Sequence, residues 1–340
     1  IEPQNLVSNG PYSLVAWQRG EKLVLEKNQS YRGPFPGNVH RVECPLFTDY
    51  DPMLKAYAVD DLDVVSLINS DPGTVARARA AHGDELRFSP QLSTVYLAFL
   101  VDREPFDDVR VRQAFVHAVD RERLVRETWG EQYRPATGGF VPPGMPGHSG
   151  GLGLDYDPEA ARQLLVDAGY PDGRGFPGVN WIYYGGSEPD PMVLFVQEAW
   201  LKALGVHVDA LGVGVEALLE PRPPTGLVTS GWRADYPDPD HMLRATFHST
   251  EGLNLPDWHN PAFDDLVEEA AEVTDQPRRM ALYREADRIL VAEETVVMPL
   301  GYARGRILAK PWVSVPRVPP AMVRLKHVAC SVGRYEERQE

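Results

Sequence analysis

Apolar and polar residues alternate in two short runs near the start of the chain. In NGPYSLVAW, the turn signal Asn9-Gly10-Pro11 leads into Tyr12, Leu14 and Ala16 at every second position. After Gly20, KLVLEKN places Leu23 and Leu25 on one side. Two such runs around a turn predict a hairpin, and VHRVECPLF at 39–47 predicts a further strand. DPMLKAYAV predicts a helix capped by Asp51 with Pro52 at its first position. LDVVSL (62–67) reads as a short buried strand, DPGTVARARAAHG (71–83) as a second Asp-Pro helix, and STVYLAFLV (93–101) as a strand.

In the next stretch Val109, Ala114, Phe115, Ala118 and Val119 mark a helix face, and Asp120 caps a second helix, DRERLVRET. Residues 130–156 are rich in Gly and Pro and predict a long loop. A third Asp-Pro start opens DPEAARQLLVDAGY, with Gly169 as its stop. The strand VNWIYYG, the helix PMVLFVQEAWLKALG and the strand VHVDAL then follow one another, the order of an αβ unit in an open sheet. Residues 260–293 are helical, and VVMPLGYARGRIL reads as a strand pair or a crossing segment. Strands and helices alternate throughout, so the fold class is α/β or mixed α+β.

Composition narrows the function classes. At 340 residues the chain has room for more than one core. No apolar run approaches the ~20 residues of a membrane helix, and IEPQNLVSNG carries no signal peptide, which leaves export open. A net charge of −15 with no Lys/Arg cluster argues against nucleic acid as a partner. Cys44 and Cys330 fit no CxxC or zinc spacing; two free thiols or one disulfide are both open.

Three patterns look like sites and lack the context for one. Gly147-His148-Ser149-Gly150-Gly151 fits G-x-S-x-G, but it lies in a Pro/Gly loop and not between a strand and a helix. Gly212 to Ala217 fits G-x-G-x-x-A, yet Pro221 cuts off the helix it would open. Asp235, Asp238 and Asp240 with His241, His248 and His259 match no metal-ligand spacing. The residues call for no cofactor and no metal, and the expectation is a protein that is not an enzyme.

GWRADYPDP at 231–239 is different. It holds an indole, a basic residue and carboxylates in a segment stiffened by Pro237 and Pro239. Asp235 offers a carboxylate to a cation and Trp232 offers an aromatic face. Asp238 and Asp240 fit a helix cap or a solvated surface, because HMLRATF follows as a short helix.

The order of these pieces resembles the extracellular solute-binding proteins of family 5, the ABC-importer receptors for dipeptides, oligopeptides, nickel and some sugars. The resemblance rests on SNGPYSLVAWQRGEKLVLEKNQSYRG, VDDLDVVSL, PFDDVRVRQAFVHAVDRERLV, LDYDPEAARQLLVDAGYPDGRGFP, GWRADYPDP, and the final pair NPAFDDLVEEA and YREADRILVAEETVVMPL. It covers roughly residues 5–315. It implies a type II periplasmic-binding-protein fold of two lobes joined by a hinge. Residues 1–100 would be a partial lobe I, 101–300 lobe II, and 301–340 the return to lobe I, with strand crossings near 97–105 and 298–304. Such proteins carry a further N-terminal stretch, so the chain is expected to be a fragment or a truncated relative, with one lobe incomplete. Thr229, Ser230 and Gly231 stand where oligopeptide binders can place an Arg before the Trp.

The resemblance further implies that Asp235 anchors a peptide's ammonium, with Trp232, Arg233 and Tyr96 as additional ligand contacts. Arg112 and Asp120 are expected to hold the fold. The implied protein is a monomer outside the cytoplasm, binding a peptide or similar solute by hinge closure and partnered with a membrane permease. A ligand-sensing module fused to a regulatory domain is the alternative, and a hydrolase using Ser149 the third reading.

Overall fold

A computed structural model describes residues 3–68, 70–186, 190–214, 226–315 and 328–330. Val215, Glu216 and Ala217 of the G-x-G-x-x-A pattern lie outside the described residues. In chain order the first elements are β1 (Tyr12–Gln18), β2 (Lys22–Lys27), β3 (Arg41–Pro45), α1 (Tyr50–Ala58), β4 (Val64–Ser66), α2 (Pro72–His82) and β5 (Leu86–Phe99). They continue with α3 (Val109–His117), α4 (Arg121–Leu124), β6 (Tyr133–Pro135), α5 (Pro158–Asp167), β7 (Asn180–Tyr184), α6 (Pro191–Leu204), β8 (Asp209–Val213) and β9 (Leu227–Arg233). The last are α7 (Pro239–Phe247), α8 (Pro261–Glu272), α9 (Gln276–Arg288), β10 (Val297–Ala309), β11 (Val313–Ser314) and β12 (Ala329–Cys330).

The chain divides into two units: Ile1–Ser89 with Gly305–Glu340, and Pro90–Arg304. It passes from one to the other inside β5 and returns inside β10.

In the first unit β1, β2 and β3 form an antiparallel sheet. A bulge between Leu14 and Ala16 shifts the register, so Leu14 faces Leu25 while Ala16 faces Val24. Val24, at 2% exposure, is the buried residue of β2, and the alternation that grouped Leu23 with Leu25 does not mark the buried face. Helix α1 begins one residue before the predicted Asp51 cap, at Tyr50 with Asp49 as N-cap. Pro52 is accommodated in the first turn, where a missing N–H costs no helical bond. A small core joins Tyr57, Val65, Leu67, Ala78 and Leu308. Cys44 is a free thiol, so no disulfide forms there, and burial pushes its pKa up.

The second unit is built on one sheet in the order β10-β5-β9-β7-β8, with β6 added on β10. β7 is parallel to β8 and β9, and α6 makes the crossover from β7 to β8. Gly205, at φ 69°, ends α6 in the left-handed conformation that favours glycine. Both sheet faces are covered, and β5 shows it residue by residue. Leu97 and Phe99 face one core, with Phe115, Trp181 and Trp200, while Tyr96 and Ala98 face the other, with Phe140, Phe247 and Tyr283. That explains why STVYLAFLV reads as continuously apolar and not as alternating.

Two buried charged side chains hold the irregular chain to these layers. Arg112, expected to serve the fold, donates from Nη1 to Phe106 O at 2.6 Å and from Nε to Glu294 O at 2.8 Å. Asp287 on α9 accepts from Phe140 N at 2.7 Å and Val141 N at 3.2 Å, pinning the Gly/Pro loop. Burial raises the Asp287 carboxyl to about 7, and the two amide donors only partly oppose that. A Cβ on Gly139 would fall well inside contact distance of both Asp287 oxygens, which explains glycine at that position.

Candidate functional site

The segment GWRADYPDPDH leaves the sheet at the end of β9 and enters α7. Trp232 is still paired with Thr94 on β5, and Ala234 N donates to Leu92 O at 2.8 Å. Beyond Ala234 the chain turns outward. Asp238 re-anchors it in two ways. Its side chain caps α7 by accepting from Asp240 N at 3.0 Å, and it takes both arms of Arg279 from α9, at 2.7 and 2.8 Å. A bidentate guanidinium–carboxylate pair fixes orientation as well as distance. Asp240 is likewise engaged, by the Tyr283 hydroxyl at 3.0 Å and by Arg244 at 3.3 Å. The two carboxylates assigned to caps and surface thus serve to seat the loop.

Asp235 is left over. Its side chain is 86% exposed, and among the described residues it meets no Arg or Lys. Its neighbour is His241, in the first turn of α7: Asp235 N donates to Nδ1 at 3.4 Å, and Nε2 lies 3.5 Å from Asp235 Oδ2. The His241 ring stacks on Trp232 at 5.4 Å and 30°, and meets Tyr236 at 4.8 Å. Trp232 in turn donates from Nε1 to His241 O at 2.7 Å. The result is an aromatic wall with an exposed carboxylate at its edge, an arrangement suited to a cationic group.

The four residues singled out from the sequence are not all brought together. Trp232 and Asp235 share this wall. Arg233 points to the opposite face of the strand, exposed, with Gln91 Oε1 at 3.5 Å. Tyr96 is on the same sheet face as Trp232, but it is wholly buried beneath Phe140 and Phe247, at ring distances of 5.0 and 6.0 Å. Even-numbered positions of β5 face that core, so Tyr96 presents no surface here. Burial pushes its phenol up to about 12, with nearby Ser230 opposing, and the hydroxyl has no partner in hydrogen-bonding geometry.

His241 was missed as a member of this group. A signal existed: it is the third residue after the Asp238 cap, the position from which a side chain reaches back over the preceding loop. Arg279 left no such trace, being 41 residues away from Asp238 in the chain.

The other patterns resolve structurally. Ser149 Oγ accepts from Arg284 Nε at 3.0 Å, and His148 bonds Val141 O at 2.7 Å, so neither forms a nucleophile–base pair with the other. His248 is buried and bonds Glu268 at 3.0 Å. Among the described residues no group of three or more His, Cys, Asp or Glu could hold a metal ion. No described helix is long and apolar enough to cross a membrane.

Comparison with known proteins gives one consistent set. The bacterial extracellular solute-binding proteins, family 5 (middle region), match residues 1–254. The periplasmic oligopeptide-binding protein OppA of Escherichia coli K12 is 28% identical over 321 residues, covering 92% of this chain and 58% of its own length. The probable deoxycholate-binding periplasmic protein YgiS of the same organism is 26% identical, with the same coverage of 92% and 58%. Among solved structures, the unliganded open form of the murein tripeptide-binding protein MppA is similar, with a TM-score of 0.81 at 25% identity, covering 96% of this chain and 64% of that one. The chain thus spans 58% of the length of these curated relatives. These relatives are binding proteins, and the architecture is that of the type II periplasmic binding proteins.

Proposed function

The chain belongs to the bacterial extracellular solute-binding proteins, family 5, and from that premise we propose that it takes part in binding short peptides for an ABC importer, holding the peptide's free α-ammonium on Asp235. The observation that carries this reading is the division of labour among three carboxylates. Asp238 is paired with Arg279, and Asp240 with Arg244 and the Tyr283 hydroxyl, whereas Asp235 stays exposed beside the aromatic wall of Trp232 and Tyr236. An exposed carboxylate paired with no Arg or Lys favours an ammonium and repels an acid such as a bile salt. Trp232 supplies the ring face for the ligand, and Arg233 is a rim contact for a more distant part of it.

In this proposal the units Ile1–Ser89 with Gly305–Glu340, and Pro90–Arg304, are lobes I and II, and the segments of β5 and β10 that link them are the hinge. Closure is driven by whatever the ligand binds more tightly in the closed form. The protein acts as a monomer outside the cytoplasm, and a membrane permease reads its loaded form.

The test is calorimetric titration of the intact protein with a pool of alanine di- to pentapeptides, unmodified or N-acetylated. An ammonium hydrogen-bonded to a carboxylate contributes ~1.5–3 kcal/mol, so acetylation or Asp235→Asn is expected to weaken binding by roughly 10- to 100-fold. Equal affinity for both pools would sink the ammonium reading.

A further inference from the structure

We propose that His241 is a positioning residue for ligand recognition: packed between Trp232 and Tyr236, with Nδ1 accepting from the Asp235 amide, it orients the Asp235 carboxylate and leaves it for the ligand. This rests on the reading of Asp235 as the ammonium anchor. Because Nδ1 accepts from Asp235 N–H, the ring proton is assigned to Nε2, which faces Asp235 Oδ2 at 3.5 Å. One imidazole therefore contacts both the backbone and the carboxylate of the same residue. The ring itself has little freedom, since its side chain is 14% exposed, with Trp232 stacked on it, Tyr236 edge-on and its own backbone oxygen bound by Trp232 Nε1.

The choice of imidazole matters because of what a stronger base would do. Arg279 shows the alternative in the same loop: it binds Asp238 at 2.7 and 2.8 Å and cancels its charge. An Arg or Lys at position 241 would compete with an incoming ammonium for Asp235. An imidazole whose Nδ1 serves as an acceptor biases the carboxylate's orientation through two long contacts and leaves its charge for the ligand. Without that bias an 86% exposed Asp side chain samples its rotamers freely, and ordering it on binding costs affinity. The loop does not depend on the imidazole, because Trp232 holds the His241 carbonyl and Arg279 holds Asp238.

The experiment compares affinities for the unmodified and N-acetylated alanine peptide pools in wild type, Asp235→Asn, His241→Ala, His241→Asn and His241→Gln. Asn retains an acceptor near Nδ1 and Gln a donor near Nε2, and thermal melts confirm folding of each variant. In His241→Ala the preference for the free amine is expected to fall by about 3- to 10-fold, with affinity for the acetylated pool changed less than about twofold; such a loss corresponds to ~0.6–1.4 kcal/mol. Should His241→Ala not fold, the Asn and Gln variants decide the matter, since at least one should lie between wild type and Asp235→Asn. If all His241 variants keep the full preference while Asp235→Asn loses it, Asp235 works without its neighbour: the inference is overturned and the proposed function stands. If Asp235→Asn also keeps the preference, the ammonium reading itself fails, and the role of His241 fails with it.

Discussion

Asp287 allows a quantitative forecast of how stability depends on pH. Its carboxyl is wholly buried, accepts two backbone amides from Phe140 and Val141, and is raised from 3.8 to about 7 by burial. The unfolded chain loses this proton near the ordinary aspartate value, while the folded chain keeps it until about 7. Between those values the native state binds more protons, so stability falls as pH rises, and the loss is complete above the folded value. At ~1.36 kcal/mol per unit, the whole displacement is worth about 4 kcal/mol, of which roughly 2–3 kcal/mol is crossed between about pH 5 and about pH 8.

The perturbation is Asp287→Asn, which keeps an acceptor but cannot titrate. The assay is urea denaturation of both proteins across that range, reading the difference in unfolding free energy. All other titrations cancel in the difference, and the lost second acceptor adds only a constant offset. The expected curve shows wild type losing roughly 2–3 kcal/mol relative to Asn on going from about pH 5 to about pH 8, flattening above. A difference that stays flat would refute the reasoning, because it would mean that the two amides hold the charge as well as water does.

Two further outcomes follow from the packing. Gly139→Ala drives a methyl against the Asp287 carboxylate and is expected to cost ~1–3 kcal/mol, read as a lower denaturation midpoint with an unchanged slope. Tyr96→Phe removes a buried hydroxyl with no hydrogen-bond partner, so stability should hold or rise by up to ~1 kcal/mol and peptide affinity should stay the same; a clear loss of affinity would place Tyr96 against the ligand after all.

Local chemistry was legible from the residues alone. Asp71-Pro72 and Asp157-Pro158 start α2 and α5 as read, because an aspartate cap and a first-turn proline act through their own backbone neighbours. Asp120 caps α4 and Asp238 caps α7 for the same reason. The α/β class was likewise readable from the alternation of strand and helix periods, and the candidate loop from its density of indole, carboxylate and proline. Elsewhere local reading slips: the N-cap of α1 is Asp49, two residues before Asp51, with no side-chain capping bond, and Val24, between Leu23 and Leu25, is the buried residue of β2.

What only the tertiary structure decided was which of several equivalent side chains is free to act. Asp235, Asp238 and Asp240 are alike in the sequence. They differ because α9 brings Arg279 and Tyr283 to the last two and leaves the first to a histidine. Tyr96 and Trp232 both read as ligand-facing aromatics, yet Phe140 and Phe247 close over one and not the other. Asp287 looks like any helix-surface acid in its own segment, and becomes a buried anchor only where the Gly/Pro loop lays its amides on it. Burial and charge pairing are properties of contacts made across long sequence separations, so no local pattern carries them.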